Sequence, residues 1–246
     1  MQKKRNRPVL FLFVVFGWMW LSGWPLPAFG DTISPAGEKR VLLIGSSSMK
    51  GVIGMAIEDA FEPWTNITVI KEAESATGLA RPDYYDWVKR ARTLAEQIKP
   101  DVVVCNLGPN DGQSLREGKD WHYWGTDRWR ELYMERVAMI IEAFPNAKVI
   151  WLGPPAMLKE NTSLRQALLA LYIRTVVRAF PRATFVDLFA LTSDSRGAYI
   201  NTIRTPAGKK VKARSGDGIH FKFPAARIFA ERVLAEALPA LGVELR

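Results

Sequence analysis

Five short apolar runs punctuate the chain, and between them apolar residues recur at helical spacing. The runs are Arg40–Gly45, Ile67–Ile70, Asp101–Leu107, Lys148–Leu152 and Thr184–Leu188. Continuous apolar runs of this length fit strands covered on both faces. Val52, Ile53, Ala56, Ile57, Ala60 and Phe61 mark a first helix. Val88, Ala91, Leu94, Ala95 and Ile98 mark a second, stopped by Pro100, and Leu132, Tyr133, Val137, Ile140, Ile141 and Phe144 a third, stopped by Pro145. Ser163–Phe180 reads as a fourth helix, and Pro224–Leu238 as a last one, with proline in the first turn, where no N–H is needed. This alternation predicts an α/β fold: one five-stranded parallel sheet with helices on both faces. Residues 190–215 are too long for a tight connection, and within them Tyr199–Arg204 and Lys210–Arg214 suit a β-hairpin. In such a sheet, ligands bind beyond the carboxyl ends of the strands. The residues that follow each strand are therefore the ones to read for chemistry.

Composition narrows the class. Of 246 residues, 48% are hydrophobic and 24% charged, which excludes a disordered or collagen-like chain. The net charge of +9 is partly an effect of Lys3, Lys4, Arg5 and Arg7, and no acidic residue precedes Asp31. The remainder is only mildly basic and holds no basic block of the kind that binds nucleic acid. Residues 8–24 are apolar and lead to Ala28-Phe29-Gly30, small residues at the −3 and −1 positions of a cleavage site. Residues 1–30 thus match a secretory signal peptide cleaved after Gly30, with a retained membrane anchor as the alternative. The body, residues 31–246, is then expected to be a single domain, periplasmic or secreted, touching a membrane only through residues 1–30 if these stay attached. Cys105 is the sole cysteine and sits in an apolar run, as a buried structural thiol does. His122 and His220 are the only histidines, and no Cys/His cluster has metal-ligand spacing, so no metal is expected; the leading reading calls for no cofactor either.

Four post-strand segments carry polar residues suited to chemistry. The first strand is followed by Gly45-Ser46-Ser47-Ser48, which suits helix capping, an anion nest or a nucleophilic serine. Gly78 follows the second strand, either as a turn residue or as a place where a backbone N–H approaches a ligand. Gly108-Pro109-Asn110-Asp111 follows the third, as a turn or as the source of a side-chain amide for a developing oxyanion. Asp217-Gly218-Ile219-His220 precedes the last helix, where a carboxylate three residues from an imidazole can orient it as a base. Together they hold a nucleophile, oxyanion donors, a base and its partner acid.

These four blocks, in this order over about residues 40–240, resemble those of the SGNH (GDSL-type) hydrolase superfamily. Thr77-Gly78-Leu79-Ala80-Arg81-Pro82 is similar to a bacterial cell-envelope branch of it. The resemblance implies a flavodoxin-like three-layer α/β/α sandwich and hydrolysis of acyl esters without a metal. By position it implies Ser47 as nucleophile, His220 as base and Asp217 as its partner. It implies an oxyanion hole from the N–H of Ser47, the N–H of Gly78 and the side chain of Asn110. The usual Gly-Asp-Ser-Leu stands here as Gly-Ser-Ser-Ser, which leaves Ser46 and Ser48 as rivals of Ser47.

Export, mild basicity and clustered aromatics favour an O-acyl, chiefly O-acetyl, group on a carbohydrate as substrate. Trp121, Tyr123 and Trp124 suit stacking on sugar faces, and Arg81 suits the rim of the cleft; covering the next helix is the competing role of Trp124 and Trp129. Lys209, Lys210, Lys212 and Arg214 face an acidic polymer or simply water. Three alternatives remain open: acyl transfer to a sugar hydroxyl through the same serine, a non-catalytic glycan-binding or assembly module, and a flavin- or phosphate-binding protein.

Overall fold

The computed structural model describes residues 37–205 and 207–243, all within one unit spanning Ala36–Arg246. The expected signal segment, residues 1–30, lies outside the described residues. The elements run β1 (Lys39–Gly45), α1 (Ser47–Lys50), α2 (Val52–Phe61), β2 (Ile67–Ala73), α3 (Trp87–Ile98), β3 (Val102–Asn106), β4 (Leu115–Glu117) and β5 (Asp120–His122). They continue with α4 (Asp127–Glu142), β6 (Lys148–Leu152), α5 (Glu160–Val177), β7 (Ala183–Val186), α6 (Leu188–Leu191), β8 (Thr202–Arg204), β9 (Lys210–Lys212) and α7 (Phe223–Ala240).

Five strands form one parallel sheet in the order β2-β1-β3-β6-β7. The architecture is the expected α/β sandwich. Side chains alternate across β1: Val41 and Leu43 join a core with α2 and α7, whereas Leu42 and Ile44 join one with α3, α4 and α5. Both faces are thus dry, which explains why the central runs are apolar without alternation.

Local signals set most boundaries. The Asp86 carboxylate caps α3 by accepting from Lys89 N–H at 3.1 Å, and Thr126 Oγ1 caps α4 by accepting from Trp129 N–H at 3.3 Å. The structure departs from the sequence reading in four places. β2 runs on to Ala73 although Lys71 and Glu72 are charged; β2 is an edge strand, and these side chains pair with Glu58 and Arg90. The last parallel strand stops at Val186 because Asp187 caps the single turn of α6. α1 precedes the expected first helix and begins at Ser47 itself. The aromatic stretch after β3 is partly an antiparallel hairpin, β4–β5, with Gly118 in its turn at φ +58°. The expected hairpin is present in shorter form as β8–β9.

Trp129 anchors the second core. It is fully buried, stacks on Tyr133 with ring centroids 4.8 Å apart, and donates its indole N–H to Gln113 O at 2.8 Å. It therefore ties α4 to the loop beyond β3. Trp129→Ala should cost about 3–5 kcal/mol of stability. A shift of the urea unfolding midpoint by less than a quarter of that would show that the loop closes the void without loss.

Candidate active site

Ser47 opens α1 directly beyond β1. Gly45, just before it, is held to glycine by crowding: a Cβ there would lie 2.7 Å from that of Met49 and 3.0 Å from Asn106 O. Ser46 occupies the cap position of α1 without making a side-chain capping bond. It is buried, whereas Ser47 and Ser48 are partly open.

The Asp217–His220 turn brings the other groups to Ser47. Asp217 Oδ1 accepts from the backbone N–H groups of Ile219 at 2.9 Å and His220 at 3.0 Å. Its Oδ2 lies 2.7 Å from His220 Nδ1. The His220 contact, reinforced by those N–H bonds, holds the carboxyl down at about 2, so it is ionised throughout the neutral range. His220 Nε2 then lies 3.3 Å from Ser47 Oγ. Of the three serines, Ser47 is the one hydrogen-bonded to the imidazole.

Asn110 reaches the same place from the loop after β3. Its amide Nδ2 donates to Thr77 O at 2.8 Å and has a second N–H to give. That bond links Asn110 to the peptide whose N–H belongs to Gly78. The loop is pinned further by Gln166, which donates to Pro109 O at 3.0 Å, and by Gln113, which donates to Asn110 O at 2.7 Å.

Asp111 supports this arrangement from below. It is fully buried and accepts from Ala80 N–H at 2.8 Å and from the Tyr133 hydroxyl at 3.2 Å. A Cβ on Gly78 would sit 2.1 Å from Asp111 Oδ1, so only glycine lets the carboxylate come this close. Burial raises its pKa to about 6, against the pull of these donors.

Ser47 stands between two cavities. One, of about 210 Å³, is lined by Ser47 and Asn110 among others, and the second, of about 180 Å³, by Ser47, Ser215 and His220 among others. Arg81, Trp121, Tyr123 and Trp124 line neither. Trp121 is half-exposed, but the guanidinium groups of Arg81 and Arg116 lie 5.1 and 5.0 Å from its ring centre. Trp124 packs edge-on against Trp129 at 4.4 Å, covering the helix. Tyr123 projects from the surface. His122 lies 3.1 Å from Glu117 within the β4–β5 hairpin. Cys105 is buried, and burial pushes its thiol pKa up. Among the described residues no group of three or more His, Cys, Asp and Glu is placed to hold a metal ion.

Arg214 corrects the expectation that it lies with the exposed cations. Lys209, Lys210 and Lys212 are exposed, but Arg214 is fully buried. It donates to Ala156 O at 2.6 Å and also to Ile219 O, the carbonyl preceding His220. Its guanidinium lies 3.5 Å from the Phe221 ring centre. Burial lowers its pKa to about 10, so it stays charged at neutral pH. Sequence reasoning missed it because a charge after a lysine-rich hairpin carries no sign of burial. The positioning roles of Gln166 and Asp111 likewise left no local signal, although Asp111 belongs to a recognised block.

The Asp111 shift has a sign. Its folded pKa, about 6, exceeds an unfolded value near 3.9. Its contribution to stability is therefore full below about pH 4 and is lost as pH rises through 6, on the order of 3 kcal/mol in all. In Asp111→Asn that loss should vanish. The stability of the variant relative to the parent should climb between pH 4 and 6 and then level off. Urea midpoints measured across this range test it, and a constant offset would refute it.

The geometry agrees with comparison to known proteins. A model of the family described as "Protein of unknown function (DUF459)" matches residues 40–236. No curated protein matches this sequence. Among solved structures, the lipase/acylhydrolase from Enterococcus faecalis superposes with a TM-score of 0.58 at 18% identity, covering 80% of this chain and 94% of that one. An alpha/beta hydrolase from the metagenome of Lake Arreo, Spain, gives 0.57 at 17% identity, covering 83% and 95%. A family two carbohydrate esterase from Clostridium thermocellum gives 0.51 at 17% identity, covering 84% and 65%. At such identities the likeness establishes a shared architecture. The chain belongs to the DUF459 family, and its fold is that of the SGNH (GDSL-type) hydrolases.

Proposed function

We propose that the protein is a serine esterase that hydrolyses a short acyl ester on a carbohydrate outside the inner membrane. The observation that carries this reading is the line Asp217–His220–Ser47, with contacts of 2.7 and 3.3 Å, ending on a serine that opens between two cavities.

In this reading Ser47 Oγ attacks the ester carbonyl while His220 Nε2 takes its proton. Asp217, ionised and held by three hydrogen bonds, fixes the imidazole with Nε2 toward Ser47. The tetrahedral oxyanion is held by the N–H groups of Ser47 and Gly78 and the free N–H of Asn110. His220 then gives its proton to the alkoxide as the C–O bond breaks. Water attacks the acyl–Ser47 ester with His220 as base, releasing the acid.

The carbohydrate and the location rest on other features. The amino-terminal segment supports export, with its basic start, apolar stretch and small residues before Asp31. The exposed Lys209, Lys210 and Lys212 suit a substrate with acidic groups. A structural neighbour is itself a carbohydrate esterase.

The test is p-nitrophenyl acetate hydrolysis by the full-length protein. Ser47→Ala and His220→Ala should abolish it. Asn110→Ala should lower turnover by about 10²–10³-fold, the cost of one oxyanion donor. A fall of less than about tenfold would remove Asn110 from the mechanism.

A further inference from the structure

The solvent-facing side of a surface helix is ordinarily polar, and that of α5 is not. Leu164, Leu168 and Leu171 are 59%, 43% and 44% exposed. Spaced by four and then three residues, they form one stripe along the helix. The charged residues within the helix do not interrupt it. Arg165 turns to the body of the protein, donating to Gly112 O and lying 5.5 Å from the Trp124 ring centre, and Arg174 pairs with Asp187 at 3.4 Å. Asn161 and Thr175 extend the exposed face at either end without charge. A single exposed leucine needs no explanation, but an unbroken line of them marks an interaction site.

The ends of the helix indicate what covers the stripe. Glu160 opens α5 and Arg178 caps it, and both are exposed. Among the described residues neither has an ion-pair partner. Eighteen residues separate them, which is five turns of about 3.6 residues and about 27 Å. They therefore lie on the same flank of the stripe, out of reach of each other within one chain.

A second copy running antiparallel brings them together. The four- and three-residue steps nearly mirror each other, so a twofold axis beside Leu168 sets it against the partner's Leu168, and Leu164 against the partner's Leu171. The same operation brings Glu160 to the partner's Arg178 and Arg178 to the partner's Glu160. A twofold contact requires a surface that complements itself, and this one does so in apolar spacing and in charge. A membrane surface fits less well, since it favours flanks rich in Lys and Arg and one end of this flank is an acid.

We propose that α5 is the contact helix of a homodimer, packed antiparallel through Leu164, Leu168 and Leu171, with Glu160 paired to the partner's Arg178. The same helix pins the loop that carries Asn110, through Gln166 on Pro109 O and Arg165 on Gly112 O. The element that joins the copies thus also holds part of the candidate active site, although the dimer does not depend on the esterase reading.

Sedimentation of the full-length protein tests this. At micromolar concentration the parent should run at twice the mass of one chain. Leu168→Lys sets two cations together at the axis and should weaken association at least about tenfold. Glu160→Arg alone, or Arg178→Glu alone, opposes like charges twice per dimer, and each should weaken it about tenfold. The double variant should return to within about threefold of the parent, because the reversed charges meet again across the axis. All three positions are exposed, so the fold should persist, which far-UV circular dichroism checks. A parent that stays monomeric up to about 100 μM would overturn the proposal. So would association that survives Leu168→Lys, as contact through residues 1–30 would, or a double variant no better than either single one. If Leu168→Lys does not fold, the charge reversals decide alone.

Discussion

A parallel sheet covered on both faces leaves polar chemistry one place to go. The central strands β1, β3 and β6 are buried, with residues such as Leu42, Val103 and Ile150 fully enclosed. Their flanks admit only apolar contacts, so charge and hydrogen-bonding capacity collect in the loops beyond the strand ends. Ser47 stands two residues past β1, Asn110 four residues past β3, and the Asp217–His220 turn leads into α7. What the loops can do is set by how firmly the dry layers beneath them are packed. Trp129 and Tyr133 carry that firmness upward, since Tyr133 ends in a hydrogen bond to Asp111 and Trp129 in one to Gln113.

Much of this was legible in the residues. The apolar runs marked the five parallel strands because burial on both faces removes the alternation that would blur them. The four polar blocks were legible because each followed a strand or preceded the last helix. Ambiguity among the three serines was not resolvable by pattern, since it turns on which hydroxyl faces an imidazole 173 residues away. The β4–β5 hairpin was obscured by its aromatic residues, which read equally as a sugar-stacking surface. In space Trp121 is engaged by two guanidinium groups and Trp124 by Trp129.

The supporting layer was the least legible part. Arg214, Gln166 and Asn106 are polar residues in buried settings, and nothing in their neighbours along the chain distinguishes them from surface residues. Their meaning comes from partners far away in sequence. Arg214 joins Ala156 to Ile219, and so couples the loop after β6 to the turn that holds His220. Asp111 bears on Gly78 so closely that the two residues constrain each other. A buried cation or carboxylate of this kind is costly to keep. Each fixes a loop through backbone groups that apolar packing alone does not satisfy.

The 173 residues between Ser47 and His220 also set an order of events for the chain. Ser47 enters early in synthesis, whereas His220 arrives just before α7, the element that covers α2 in the first core. Closing so long a span is entropically late, after local structure has formed. A nascent chain thus carries its serine without the imidazole beside it. Pairing of the two groups is therefore a mark of completed folding, reached only when the last helix is seated.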